Sequence, residues 1–189
     1  MGAFCAHFLR VGAFCTHFLL RKDMNKNTKF ITTGALIGAM YMALCYLQNL
    51  LIPGSASWAI QFRAAEALCV LAYFTPAAIP GLTIGCLLFN ISFAGALPLD
   101  FAVGTAATLA AAWGMWCMRG VTVKGYPLIG MLLPAITNAV LVGWELSVYI
   151  GGGFWINALY VAIGEVAVLF TLGTALYYAL KNHKNRLFQ

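Results

Sequence analysis

The chain has 189 residues, of which 62% are hydrophobic and only 8% are charged, and its net charge is +6. Soluble domains carry about 25% charged residues, so these few charges exclude a water-facing surface over the whole chain. The apolar runs are long and lack the in-out alternation of barrel strands. The composition therefore predicts an all-α, polytopic membrane protein whose helices satisfy their own backbone hydrogen bonds.

The first residues form a duplicated segment, because residues 2–9 recur almost unchanged as residues 12–19. Each copy contains a Cys-x-His pair, and cysteine and histidine are zinc ligands. We favour the alternative that residues 1–23 are a leader or extension outside the fold, followed by a membrane domain at residues 24–189. The other four cysteines lie in apolar segments, which predicts buried free thiols. No metal or cofactor is expected.

About six transmembrane helices are predicted from the apolar runs and the turn residues between them. The expected spans are residues 30–51, 62–74, 77–93, 98–118, 126–146 and 155–180. The second and third are shorter than the ~20 residues of a standard crossing, so one broken hairpin is the alternative for that pair. Pro134 inside the fifth span predicts a kink.

The basic residues are distributed asymmetrically across these spans. Of the eleven lysines and arginines, only Arg63 lies away from the side that carries both termini. The positive-inside rule then predicts cytoplasmic termini in a multi-pass protein of the cell membrane, surrounded by lipid. The basic loops account for the positive charge, so no nucleic-acid partner is expected.

Four of the five acidic residues map to the outer half or the middle of the membrane. Ionisable groups are costly there and commonly line a pathway or a site. Asp100 and Glu145 are the strongest candidates, because neither has an obvious basic neighbour in the sequence. Glu66 ranks lower, since Arg63 is one helical turn away and can neutralise it. Glu165 lies deeper, and either closes the floor of a site or packs as a protonated carboxyl.

Amide and aromatic side chains gather near the same ends of the spans. Asn138 and Glu145 are seven residues apart, which places them on one helix face. Carboxylates and amides recognise the edges of planar ligands, and aromatic rings stack on their faces. The alternative for tryptophans at this depth is an anchor at the membrane interface. The expected binding set therefore also contains Asn90, Asn138, Gln61, Arg63, Trp144 and Trp155.

Several catalytic signatures are absent from the sequence. It contains no Gly-x-x-x-x-Gly-Lys-Ser/Thr phosphate loop, no His-Glu-x-x-His pair and no Gly-x-Ser-x-Gly elbow. The chain is therefore not expected to hydrolyse ATP by that route or to be an enzyme, although a carboxylate-based membrane enzyme is an open alternative.

The first span carries small residues at intervals of four. This spacing puts them on one helix face and lets another helix approach closely. The approaching helix belongs either to this chain or to a partner, and the spacing alone favours this chain. The residues concerned are Gly34, Gly38, Ala35, Ala39 and Ala43.

Two strings of sequence resemble the QueT family. Residues 60–68 read IQFRAAEAL, and residues 74–82 read FTPAAIPGL. The stretch GALPLD at residues 95–100 is similar to the same family, and the resemblance extends over residues 24–181.

The resemblance implies the substrate-binding S component of an energy-coupling factor (ECF) transporter, which captures a queuosine precursor, a deazaguanine-type base, from outside the cell. It implies three partners, a membrane T component and two cytoplasmic ATPase subunits. It also gives the small-residue face of the first span the role of T-component contact. Two alternatives are an S component or carrier for another vitamin-like molecule, and a membrane enzyme.

Overall fold

The computed structural model describes residues 25–53, 63–93 and 99–182. The proposed leader, residues 1–23, and Gln61 lie outside these ranges. In chain order the described elements are α1 (Lys26–Leu51), a 3-10 helix (Ala64–Val70), α2 (Leu71–Phe74), α3 (Ala78–Ser92), α4 (Asp100–Cys117), a 3-10 turn (Met118–Gly120), α5 (Leu128–Tyr149), α6 (Phe154–Val168), a π-helical segment (Leu169–Gly173) and α7 (Thr174–Lys181).

Four units within the described ranges are long and apolar enough to cross a membrane, and two apolar helices are shorter. The long units are Lys26–Leu51, Asp100–Gly120, Leu128–Tyr149 and Phe154–Lys181, and the short ones are Ala64–Phe74 and Ala78–Ser92. The predicted all-α, polytopic membrane architecture is confirmed. The first helix begins at Lys26, four residues before the predicted position, and the fifth continues to Tyr149.

The short second unit gains length from its 3-10 geometry. Its first seven residues rise ~2.0 Å each instead of the ~1.5 Å of an α-helix. Thr75 then adopts an extended conformation, as expected for a residue before proline, and α2 ends there. Pro80 lies in the first turn of α3, where proline is tolerated.

Helices α1 and α3 touch backbone to backbone through glycines. A Cβ atom added to Gly38 would lie 2.8 Å from the Gly81 carbonyl oxygen, and one added to Gly85 would lie 2.7 Å from the Gly38 carbonyl oxygen. Gly34 meets Ala77 and Gly81 in the same way. The glycines of α1 therefore pack within this chain, as the first alternative for this spacing states.

The alanines of α1 point away from that contact. Ala35, Ala39 and Ala43 are exposed on the outer surface of the bundle. On the opposite side of the helix Tyr41 is 1% exposed and belongs to the core. Helix α1 therefore presents one face to the interior and another to the surroundings.

The prediction of buried free thiols is confirmed for three of the four described cysteines. Cys45, Cys69 and Cys86 are buried free thiols, whereas Cys117 is free but exposed. Cys117 is the last residue of α4, where the helix leaves the packed interior.

Candidate binding site

An ion pair joins the start of the second unit to the start of α4. Arg63 precedes the 3-10 helix, and its Nη2 atom lies 3.3 Å from Oδ1 of Asp100, the first residue of α4. The expected pairing of Arg63 with Glu66 is therefore wrong, as is the expectation that Asp100 lacks a basic neighbour. The i,i+3 rule fails because Arg63 is not helical, so its side chain reaches across to α4 instead.

Asn90 and Gly104 complete the surroundings of this pair. The Asn90 side-chain amide donates to the Asp100 backbone carbonyl over 2.8 Å. A Cβ atom on Gly104 would lie 3.1 Å from Asn90 Nδ2 and 3.4 Å from Arg63 Nη1. The missing side chain at Gly104 thus makes room for both polar groups against α4.

Glu66 is held by neutral donors. The Tyr41 hydroxyl donates to Oε1 over 2.7 Å, and the Thr108 hydroxyl donates to the same atom over 3.2 Å. The Cys69 thiol donates to Oε2 over 3.2 Å. These donors come from α1, α4 and the 3-10 helix itself, so Glu66 ties three elements together. The sequence did not single out Tyr41 or Thr108, although a tyrosine in the middle of an apolar span is a signal of such a bond.

Asn138 and Glu165 connect α5 and α6. The Asn138 amide donates to Glu165 Oε1 over 3.0 Å, and both side chains are buried. The other oxygens of the pair, Asn138 Oδ1 and Glu165 Oε2, have no hydrogen-bond donor among the described residues. The two helices approach closely nearby, since a Cβ atom on Gly143 would lie 2.7 Å from Ala158 Cα.

Glu145 differs from the other buried acidic residues in its hydrogen bonding. Its side chain is fully buried, and neither oxygen has a donor among the amide, hydroxyl and guanidinium groups that the structure describes. The Asp100 carboxyl is within hydrogen-bonding reach of Glu145, and the Arg63 guanidinium is a charged neighbour. An ionised carboxylate buried without donors costs several kcal/mol, a cost that a shared proton or a donor group would offset.

The two candidate tryptophans do not join these carboxylates. Trp144 is 50% exposed and Trp155 is 81% exposed, both on the outside of the bundle. Their placement agrees with the alternative of interfacial anchors.

The buried charges in the described part of the chain are strongly unequal. Glu66, Asp100, Glu145 and Glu165 are all buried, against the single buried base Arg63. In the same ranges no group of three or more histidine, cysteine or acidic side chains is arranged to hold a metal ion. The arrangement places hydrogen-bond acceptors and acidic groups in the buried interior, which suits a small molecule rich in N–H donors.

Comparison with known proteins adds one finding. The family model described as QueT transporter matches residues 31–182. No curated protein and no solved structure matches the chain.

Proposed function

The chain belongs to the QueT transporter family, and we propose that it is the S component of an ECF transporter, capturing a queuosine precursor from outside the cell. The family is one of transporters rather than of enzymes. Helices that cross a membrane and polar groups enclosed between them are consistent with substrate capture.

The observation that carries the proposal is the buried Glu145 carboxylate without amide, hydroxyl or guanidinium donors. The edge of a deazaguanine-type base presents adjacent N–H groups, which the two oxygens of one carboxylate accept as a pair. An aminomethyl substituent on such a base is a cation and would interact with a second carboxylate. Asp100, which neighbours Glu145, and Glu165 are the candidates for this role.

The neighbouring amides and the arginine extend the proposed site. Asn138 and Glu165 each offer an oxygen without a described donor, beside their mutual hydrogen bond. Arg63 supplies N–H groups, so it is suited to a carbonyl oxygen on the ligand. Asn90 positions the first turn of α4 through its bond to Asp100.

Calorimetric titration of the full-length protein with a deazaguanine precursor tests this assignment. Glu145→Gln is expected to weaken binding at least about tenfold, because charge-assisted bonds of this kind contribute about 1.5–3 kcal/mol. Trp144→Leu is the matched control: it changes the adjacent residue on the outer surface and should bind like wild type. If Glu145→Gln folds and binds like wild type, the site lies elsewhere. If Trp144→Leu alone loses binding, Trp144 stacks on the ligand, as the sequence analysis expected.

The proposal includes a T component and two cytoplasmic ATPase subunits as partners. Support comes from the exposed apolar face of α1, where Ala35 and Ala39 line a groove of about 430 Å³ beside α3. Ala43 continues the face by one turn. Small exposed side chains allow a partner helix to approach closely. Gly34 and Gly38 form the floor of this groove and contribute through the space that they leave.

Another vitamin-like molecule with several N–H donors is the second candidate ligand. The same unmet acceptors favour it, since they select for donors and positive charge rather than for one ring system. Competition between the deazaguanine precursor and amine-bearing vitamins in the same titration distinguishes the two.

A further inference from the structure

Two adjoining cavities lie beside α1, one against α3 and one against the turn before α3. The first is the apolar groove of about 430 Å³, whose floor is the glycine contact between the helices. Its walls are larger apolar side chains, including Phe30, Met42, Ile84 and Leu88. The groove is deep because its floor has no side chains.

The second cavity has a different character. It has a volume of about 280 Å³ and is lined by Lys26, Lys29, Thr33 and Thr75, among others. Lys26 is exposed and Lys29 is half-buried. Hydroxyl and ammonium groups are donors, which makes this cavity suited to a phosphate group.

Phe30 lines both cavities, so the basic one adjoins the apolar one at this residue. The groove extends along α1 from Phe30 to Met42, a distance of ~18 Å at ~1.5 Å per residue. Half of a ~30 Å hydrocarbon core is ~15 Å. The groove therefore has the length of an acyl chain in one leaflet, and the lysines lie where its headgroup would be.

We propose that this surface binds one anionic phospholipid, with its phosphate at Lys26 and Lys29 and one acyl chain in the groove between α1 and α3. The charge of the two lysines selects an anionic headgroup over a zwitterionic one, as basic pockets between membrane helices do. The site is separate from the buried carboxylates, but its groove is the surface that the T component is proposed to contact, so a bound acyl chain and the partner helix would exclude each other there.

Native mass spectrometry of the full chain tests the proposal, with protein released from micelles that contain phosphatidylglycerol or phosphatidylcholine. Wild type is expected to retain one phosphatidylglycerol and to bind phosphatidylcholine more weakly. Each lysine near a membrane surface contributes about fivefold in affinity for an anionic headgroup. Lys26→Gln with Lys29→Gln should therefore raise the dissociation constant for phosphatidylglycerol about 25-fold.

Lys124→Gln is the matched control, since Lys124 is an exposed lysine in the α4–α5 connection that lines neither cavity. It should retain wild-type lipid binding. Ala35→Leu fills the groove without changing charge and should weaken the phospholipid but not soluble glycerol phosphate. Equal retention of the two lipids by wild type would overturn the proposal. An equal loss in the Lys124 variant would do the same, because it would indicate only general surface charge.

Discussion

The Arg63 guanidinium lies 3.3 Å from the Asp100 carboxylate, although 37 positions separate the two residues in the chain. Both side chains are about nine-tenths buried. Asp100 is also the first residue of α4, where the helix dipole favours a negative charge. The pair therefore fixes the start of α4 beside Glu145, and with it one wall of the proposed substrate site.

Removing one member of this pair should destabilise the protein more than removing both. Arg63→Gln leaves a buried acid without its guanidinium, which costs about 3–5 kcal/mol. Adding Asp100→Asn should recover a large part of that loss. Thermal unfolding of the four proteins of this cycle in detergent, followed by circular dichroism, measures the coupling. Strictly additive losses would show that the contact does not contribute as a pair.

Tyr41→Phe should lower the free energy of unfolding by about 1.5–3 kcal/mol. The substitution keeps the ring but removes the 2.7 Å bond to the buried Glu66 carboxylate, and bonds to charged groups have this magnitude. Tyr177→Phe is the matched control, because its hydroxyl donates to the neutral Gly125 carbonyl over 3.4 Å. Denaturant titration compares the two variants, and equal losses would contradict a special role for the Tyr41–Glu66 bond.

Gly38→Ala should destabilise the contact between α1 and α3 by about 1–3 kcal/mol. The added methyl would lie 2.8 Å from a backbone carbonyl oxygen that has no freedom to move aside. A Cβ atom on Gly120 has nothing within 4 Å, so Gly120→Ala provides the control and should be close to neutral. The melting temperatures of the two variants are compared, and only that of Gly38→Ala should fall. A neutral Gly38→Ala would mean that the helices separate at little cost.

Ala39→Trp should abolish uptake while leaving ligand binding to the isolated chain unchanged. Ala39 is exposed on the outer face of α1, where a large ring would hinder docking of the proposed T component. Ala106→Trp places the same ring on an exposed position of α4, outside the groove, and should leave uptake intact. Uptake by cells expressing all the subunits is compared with titration of the purified chain. Loss of both activities in Ala39→Trp would indicate a contact within the chain.

Both termini should be cytoplasmic. Lys124 and Lys181 lie at the same end of the bundle, because the Lys181 ammonium group donates to the Gly125 carbonyl in the α4–α5 connection over 3.5 Å. Basic residues at this end are expected to remain on the cytoplasmic side. A reporter fused after Gln189 should therefore be active only in its cytoplasmic form. Activity of an extracellular reporter at the same position would reverse the orientation.

The helices and the acids could be predicted from the sequence because both follow from local composition. Long apolar runs specify membrane helices, and an acid inside such a run has little access to water. Glu145, which is fully buried, is an example. The outward direction of Trp144 could have been inferred as well, since adjacent residues point about 100° apart on a helix of 3.6 residues per turn.

The partners of the polar groups could not be predicted in the same way. Whether Arg63 contacts Glu66 or Asp100 depends on whether residue 63 is helical. The exact end of a helix is the part of its position that the sequence specifies least. The glycine contact had an overlooked signal: Gly81 and Gly85 repeat in α3 the four-residue interval of the glycines in α1. Two matched intervals indicate a contact within the chain better than one does.

That glycine contact also limits how the bundle can change shape. Carbonyl groups of Gly38 and Gly81 each lie where the opposite helix has no side chain, so α1 and α3 cannot slide without steric collision. The two helices therefore behave as one rigid unit. The same constraint applies to α5 and α6, where a Cβ atom on Gly143 would lie 2.7 Å from Ala158 Cα.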